Sequence, residues 1–467
     1  MQKTTVRTFS ALLVGVALVA TACGSDKKAA ETTAAATTAA ATTAAETTAA
    51  ATTAAETTVA AGGDADAMAG MKGTTPLVEL SQDFKDRLNA TETAKATPLK
   101  DTYNYAAEAY DAVTVIALAA EIAKTDGSAL ADQIVGVTKD GTKCTDFKSC
   151  IALVKAGTDI DYDGKSGPIT MNGNGEPLQA SYGMLEFGKG NKLDDSLTKY
   201  IIAQAPESAA KPLAKTEVDR KGDGELKIGT LLPETGSLAF LNPPEVAGVE
   251  LAIKDVNDNG GVLGKPVVLN SGDSGDTSTD IASQTTDRLL KDNVDAIIGA
   301  ASSSVTLTVL DKIAAAGVVM FSPANTSLKL VDYPDKGLYF RDAPPDDLQG
   351  NVIAQQIIDD GNSSAYILAL DDAYGTSLAD VIEKALTAGG VKVLGKKIYD
   401  PKATSFDAEV GDVASQNPDA VVLVTFDEGS RILKTMVQKG VGPAKKKVYG
   451  CDGNMGNALG EAFNAGK

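Results

Sequence analysis

The 467-residue chain contains no histidine and no tryptophan. Without imidazole there is no Ser-His-Asp or Cys-His nucleophile system, and no zinc site that needs a nitrogen ligand. Cysteine is scarce. Cys23, Cys144, Cys150 and Cys451 are too few for a disulfide-rich scaffold. Positive charge is also in short supply: 43 Lys and Arg against 62 Asp and Glu leave a net charge of −19. That balance argues against a nucleic acid or an anionic membrane surface as partner. The apolar run from Ala11 to Ala20, about ten residues, is too short to span a bilayer as a stable helix.

Lys3 and Arg7 precede that run and small residues follow it, the make-up of a secretory signal over residues 1–22. The segment Ala20-Thr-Ala-Cys23 resembles a bacterial lipobox. The resemblance implies that Cys23 becomes the lipidated first residue of an exported protein; ordinary cleavage with Cys23 as a bystander is the alternative. The lipid would hold the protein at the outer face of the cell membrane. Residues 23–63 read as a disordered tether. Within 29–61 all but Glu31, Glu46, Glu56 and Val59 are Ala or Thr, so no apolar stripe exists to dock a helix. Removing the first 63 residues leaves 467 − 63 = 404, enough for two sizeable cores.

From Leu226 onward short β-rich runs alternate with amphipathic helices. Strands are expected at 226–232, 266–269, 296–299 and 318–321, with helices at 244–256, 280–291 and 305–316 between them. The rhythm restarts after Pro344-Pro345. Helices at 348–360, 377–389, 406–416 and 429–440 there alternate with strands at 365–370, 391–394, 420–424 and 447–449, and a helix from 457 follows. Such alternation predicts an α/β protein with two doubly wound lobes, 226–345 and 346–467. Residues 64–200 differ. They hold a long helix over 105–123, a shorter one over 128–135, and a hairpin-like section in which 167–171 turns at Asn172-Gly-Asn-Gly175 into 180–187. Too few strands are legible here for a separate sheet, so this stretch is expected to pack on the later one.

The run Ile228-Gly-Thr-Leu-Leu-Pro-Glu-Thr-Gly236 resembles the start of the type I periplasmic binding proteins, in their Leu/Ile/Val-binding branch. Ile297-Ile-Gly-Ala-Ala-Ser-Ser303, Phe321-Ser-Pro-Ala-Asn-Thr326, Asp372-Ala-Tyr-Gly375 and Gly450-Cys-Asp-Gly453 continue the resemblance in order. The early stretch is similar to that family's C-terminal part, through Tyr110-Asp-Ala-Val113, Gly164-Lys-Ser-Gly-Pro168 and Asn174-Gly-Glu176. The family's last third is therefore written first. This implies a circular permutation in which 64–200 completes both lobes and 201–225 joins the old ends; two incomplete copies needing partner chains is the alternative.

A free amino acid needs an anion pocket beside a cation pocket. Ser302-Ser-Ser304 opens a helix, and hydroxyls with free N–H groups at a helix start suit a carboxylate, although plain capping is the bland reading. By resemblance Ser303 and Thr326, with the backbone at Ala324, would hold the carboxylate, and Asp452 the ammonium. A turn Asp beside glycines is the alternative for Asp452. Tyr374 would close over the ligand or be a partly buried turn aromatic; Tyr105 and Phe426 are weaker lining candidates, with core packing as their alternative, and Phe240-Leu241 reads as an apolar wall. The resemblance implies a solute-binding protein, not an enzyme, that hands a small branched-chain-like amino acid or related amide to an ABC permease. A sensor feeding a signalling partner is the alternative. No cofactor or metal is implied. The acidic group Asp273, Asp276 and Asp280 has no EF-hand-like ligand spacing and reads as a solvated loop. In an exported protein Cys144 and Cys150 are expected to form a local disulfide that contributes less than ~3 kcal/mol. Cys451 reads as a small buried filler.

Overall fold

The computed structural model describes residues 65–100, 102–205, 211 and 213–464. The expected signal, Cys23 and the Ala/Thr tether lie outside the described residues. Among the described residues no helix is long and apolar enough to cross a membrane.

A five-stranded sheet forms the first lobe. Its order from edge to edge is Tyr339–Arg341, Val319–Ser322, Ala296–Gly299, Lys227–Leu231 and Val268–Asn270, all parallel. Numbered along the chain from Lys227, that is the doubly wound order 2-1-3-4-5. Its strand ends diverge between the first and third strands, leaving a crevice beyond their carboxyl ends. The central strands are apolar throughout because both faces are covered. Ile298 and Phe321 face one core, shared with helices Ala106–Ala123 and Asn242–Asp258. Ile297 and Met320 face the other, beneath helices Ile281–Lys291 and Ser303–Ala315. The two helices of the first face touch closely. A Cβ at Gly248 would fall 2.2 Å from the Ala106 carbonyl, so only glycine allows this approach.

The second lobe repeats the order. Its sheet runs Lys392–Tyr399, Ser364–Leu370, Ala420–Val424, Lys447–Gly450, Lys72–Pro76, Gln179–Glu186 and Lys199–Gln204. The place that Tyr339–Arg341 holds in the first lobe is taken here by Lys72–Pro76, from the early stretch. It lies parallel to Lys447–Gly450, with Gly73 opposite Gly450. Gln179–Glu186 and Lys199–Gln204 extend the sheet in antiparallel fashion. Among the described residues the chain passes between the lobes at 77–81, 172–178 and 342–345.

The structure differs from the sequence reading in the early stretch. The turn expected at Asn172-Gly-Asn-Gly175 is present: the Asn172 carboxamide oxygen accepts from the Asn174 and Glu176 amides (2.9 and 3.2 Å), and the Leu178 amide donates to the Thr170 carbonyl (2.9 Å), so the chain folds back through the antiparallel bridge Met171–Pro177. The reversal does not grow into a hairpin over 167–187, because the chain crosses to the other lobe there and Gln179–Glu186 pairs instead with Lys72–Pro76 and Lys199–Gln204. The expected linker begins inside a strand, since Lys199–Gln204 continues past residue 200. Cys144 and Cys150 are joined as a disulfide, and Cys451 is free and fully buried.

Candidate functional site

The carboxyl ends of both sheets face one another across the crevice, so the residues just past each strand meet there. Ser303 follows Ala296–Gly299; Ala324 and Thr326 follow Val319–Ser322. From the other lobe come Tyr374 after Ser364–Leu370, Phe426 after Ala420–Val424 and Asp452 after Lys447–Gly450. Tyr105, at the start of helix Ala106–Ala123, completes the ring. All seven line one cavity, together with Leu241. Phe240 lies outside it. The lobes are closed tightly, leaving about 20 Å³, room for roughly one water. Anything larger enters only when the lobes part.

Asp452 is the hub on the second lobe. It is 4% exposed, and its two oxygens accept from the Tyr105 hydroxyl (2.6 Å) and the Tyr374 hydroxyl (2.7 Å). Burial raises its carboxyl above the ordinary range, against the lowering effect of the Tyr105, Tyr374 and Gln349 side chains. Both tyrosines are pushed well above theirs, by burial first and by the Asp452 charge second. The Tyr374 ring stacks on Phe426 at 5.4 Å and 10°. Gly453 donates its amide to the Tyr374 hydroxyl (3.3 Å), which fixes the ring further.

On the first lobe the three serines divide their work. Ser302 is the helix cap, its hydroxyl accepting from the Val305 amide (3.4 Å). Ser303 accepts from the Ser327 amide (3.3 Å) and so ties the helix start to the 322–328 loop. Ser304 reaches the other lobe, donating to Asp372 (3.2 Å) and accepting from the Ala373 amide (2.8 Å). The Thr326 hydroxyl is buried in the cavity wall without a hydrogen-bond partner. Such an orphan is costly unless a ligand or water satisfies it.

The loop that carries Ala324 and Thr326 is held from below by Arg341, which is fully buried. Its guanidinium donates to the Asn325 and Ser327 carbonyls (3.3 and 3.0 Å) and pairs with Glu176 at 2.5 Å. Glu176 belongs to the early stretch, so that stretch braces a loop encoded in the later one.

Sequence reasoning missed Asp346. It is fully buried, neither carboxylate oxygen has a hydrogen-bond partner, and burial pushes its carboxyl up to about 7. The Ser377 and Thr326 hydroxyls lie near enough to lower it somewhat, but outside bonding geometry. The Tyr182 hydroxyl and the Gln349 carboxamide oxygen are buried and unpartnered in the same region. Asp346 sits in the first turn of helix Asp346–Asp359, where an acid ordinarily just complements the helix dipole. That commonplace hid it. Among the described residues no group of acids or cysteines is arranged to hold a metal ion. Asp273 is spent on its own loop, accepting from the Thr235 and Gly275 amides (3.1 and 2.7 Å).

Two lobes of the same winding, with site residues on loops at a shared crevice, define a two-lobed binding fold. Residues 225–464, more than half the chain, match the family described as periplasmic binding protein, and the chain belongs to that family. Its fold is that of the type I members. Residues 33–190 match the receptor family ligand binding region. Among relatives, the Leu/Ile/Val-binding protein BraC3 of Rhizobium johnstonii is 28% identical over 201 residues, 42% of this chain and 53% of the relative. Leu/Ile/Val-binding protein homolog 7 of Brucella abortus is 25% identical over 253 residues, 52% and 61% of the two chains. The aligned region thus spans little more than half of each relative. Among solved structures, the branched-chain amino acid transporter substrate binding protein LivJ of Streptococcus pneumoniae, in complex with isoleucine, is 24% identical. The match covers 52% of this chain and 68% of that one, with a TM-score of 0.46.

Proposed function

We propose that the protein is an extracytoplasmic receptor that captures an amino acid or related amide between its lobes and delivers it to an ABC permease. The observation that carries this reading is the opposed chemistry of one cavity. A buried carboxylate, Asp452, lies on one lobe, and an unpartnered hydroxyl, Thr326, with the Ser303 helix start lies on the other. The ligand ammonium pairs with Asp452. Its carboxylate or amide carbonyl takes the Thr326 hydroxyl, the Ser303 hydroxyl and the backbone near Ala324. Tyr374, Tyr105 and Phe426 enclose the rest. Because contacts come from both lobes, binding favours the closed form, and closure is the signal a permease reads. The names of the relatives point the same way. The chemistry is binding without turnover.

The same proposal includes a circular permutation. The parallel docking of Lys72–Pro76 in the fifth-strand place of the second lobe supports it, as does the Glu176–Arg341 pair that links the two stretches. Export under the 1–22 signal, a lipid on Cys23 and a tether over 23–63 would place the receptor outside the membrane that holds its permease. The test is a thermal-shift screen of the protein against the twenty L-amino acids and their amides. A ligand at a hundred times its Kd stabilises by about 2.7 kcal/mol. At least one compound should raise the melting temperature, and no response to any of them overturns the reading.

A further inference from the structure

The crevice does not end at the small space around Asp452. Phe426 and Gly453 are walls common to that space and to a second cavity of about 260 Å³ nearer the lobe rim. Phe426 presents one face to Tyr374 and borders the outer cavity as well. Phe240, from the other lobe, lines the outer cavity and not the inner one. The outer cavity therefore has one aromatic wall from each lobe, and its remaining walls include the small residues Gly236, Ser430 and Gly456. Gly453 serves the same layout. A Cβ there would lie 2.9 Å from the Phe426 ring and 2.8 Å from the Thr425 carbonyl, so glycine is what lets the ring sit on the partition.

Size selects the ligand. On the scale by which the inner space takes roughly one water, the outer cavity takes about ten or more. The four carbons of a leucine side chain would leave most of it empty. The seven heavy atoms of a benzyl group or the ten of an indolylmethyl group fill it better, and a flat ring suits a slot between two aromatic walls. We propose that the ligand is an amino acid, or its amide, with an aromatic side chain. Its ring enters between Phe240 and Phe426 and extends the Tyr374–Phe426 stack. This rests on the head-group reading given above, and it departs from the branched-chain size that the family resemblance implies. Since both cavities are walled by both lobes, parting the lobes merges them, and closure places the ligand's Cα–Cβ bond at the Phe426 partition.

The absence of tryptophan from the chain makes the test direct, because added L-tryptophan, excited at the red edge of its absorption where tyrosine does not absorb, is read without a tryptophan signal from the protein. The protein is titrated with L-tryptophan by fluorescence, and with L-phenylalanine, L-leucine and L-alanine by calorimetry. L-Phenylalanine or L-tryptophan should bind at least tenfold tighter than L-leucine. Ser430→Leu, which fills the outer cavity from a helical position, should lower the affinity ratio of L-phenylalanine to L-alanine at least tenfold, and so should Phe240→Ala. If L-leucine binds as tightly as both aromatic ligands, or neither variant moves the ratio, the inference falls while the head-group reading stands. If none of the four compounds binds, the head-group reading falls and takes this inference with it.

Discussion

Glu108 offers a prediction whose size follows from its surroundings. It lies in the first turn of helix Ala106–Ala123, 6% exposed. The charges that act on it or respond to it are acidic. Asp111 raises its pKa, and Glu108 in turn raises those of Glu245 and Asp342, whose own carboxylate oxygens have no hydrogen-bond partners. Burial, chiefly, lifts the Glu108 carboxyl from 4.5 to about 8. The folded protein then keeps a proton that the unfolded chain has lost. Stability from this group is full below pH 4.5, falls as the pH rises toward about 8, and is flat beyond. The slope is ~1.4 kcal/mol per pH unit, which gives on the order of 5 kcal/mol across the window. Glu108→Gln keeps the shape and removes the titration. Urea unfolding of the wild type should show stability falling between pH 5 and pH 8. The variant should lose several kcal/mol less over that range and exceed the wild type at pH 8. Residual slope should persist, because Glu245 and Asp342 still titrate. Parallel curves for the two proteins would refute the reasoning.

Thr326→Val removes a hydroxyl that bonds nothing in the protein, so urea stability should hold or rise slightly, while the affinity for the amino acid found by screening should fall about tenfold by calorimetry. Glu176→Gln leaves the Arg341 guanidinium buried without its counter-charge. Unfolding free energy should drop by about 3–5 kcal/mol, and affinity with it, because the Thr326 loop loses its brace. Replacing Cys144 and Cys150 together by Ser reopens only a short loop, so the loss should be below ~3 kcal/mol, with the folded circular dichroism spectrum unchanged.

Much of the fold was legible where one period dominates. Ala296–Gly299 and Ala420–Val424 are unbroken apolar runs buried on both faces, and both were read from sequence with the bounds the structure gives them. Lys72–Pro76 was not read, because Lys-Gly-Thr-Thr-Pro carries no apolar alternation. What makes it a strand is the vacant sheet edge beside Lys447–Gly450, a partner encoded hundreds of residues later. Lys199–Gln204 was missed for a related reason. It is an edge strand with Ile202 71% exposed, so its pattern is not that of a buried face. Ser303, Ala324, Thr326 and Asp452 were named by resemblance and Tyr374, Tyr105 and Phe426 as lining candidates; strand ends bring six of them together, and the start of helix Ala106–Ala123 brings Tyr105. Asp346 and Gln349 were not named, since their chemistry arises from burial at a lobe crossing and not from any local motif. The expected Phe240-Leu241 wall divides between two cavities, which no spacing in the sequence announces.

Native mass spectrometry of the protein titrated with L-leucine and L-phenylalanine, alongside Asp452→Ala, tests the whole scheme most directly. A single chain should take up one amino acid per molecule, and the alanine variant should remain a folded single chain that takes up none. An obligate dimer, or an Asp452→Ala chain that still carries its amino acid, would contradict the idea of one two-lobed clamp closed around that carboxylate.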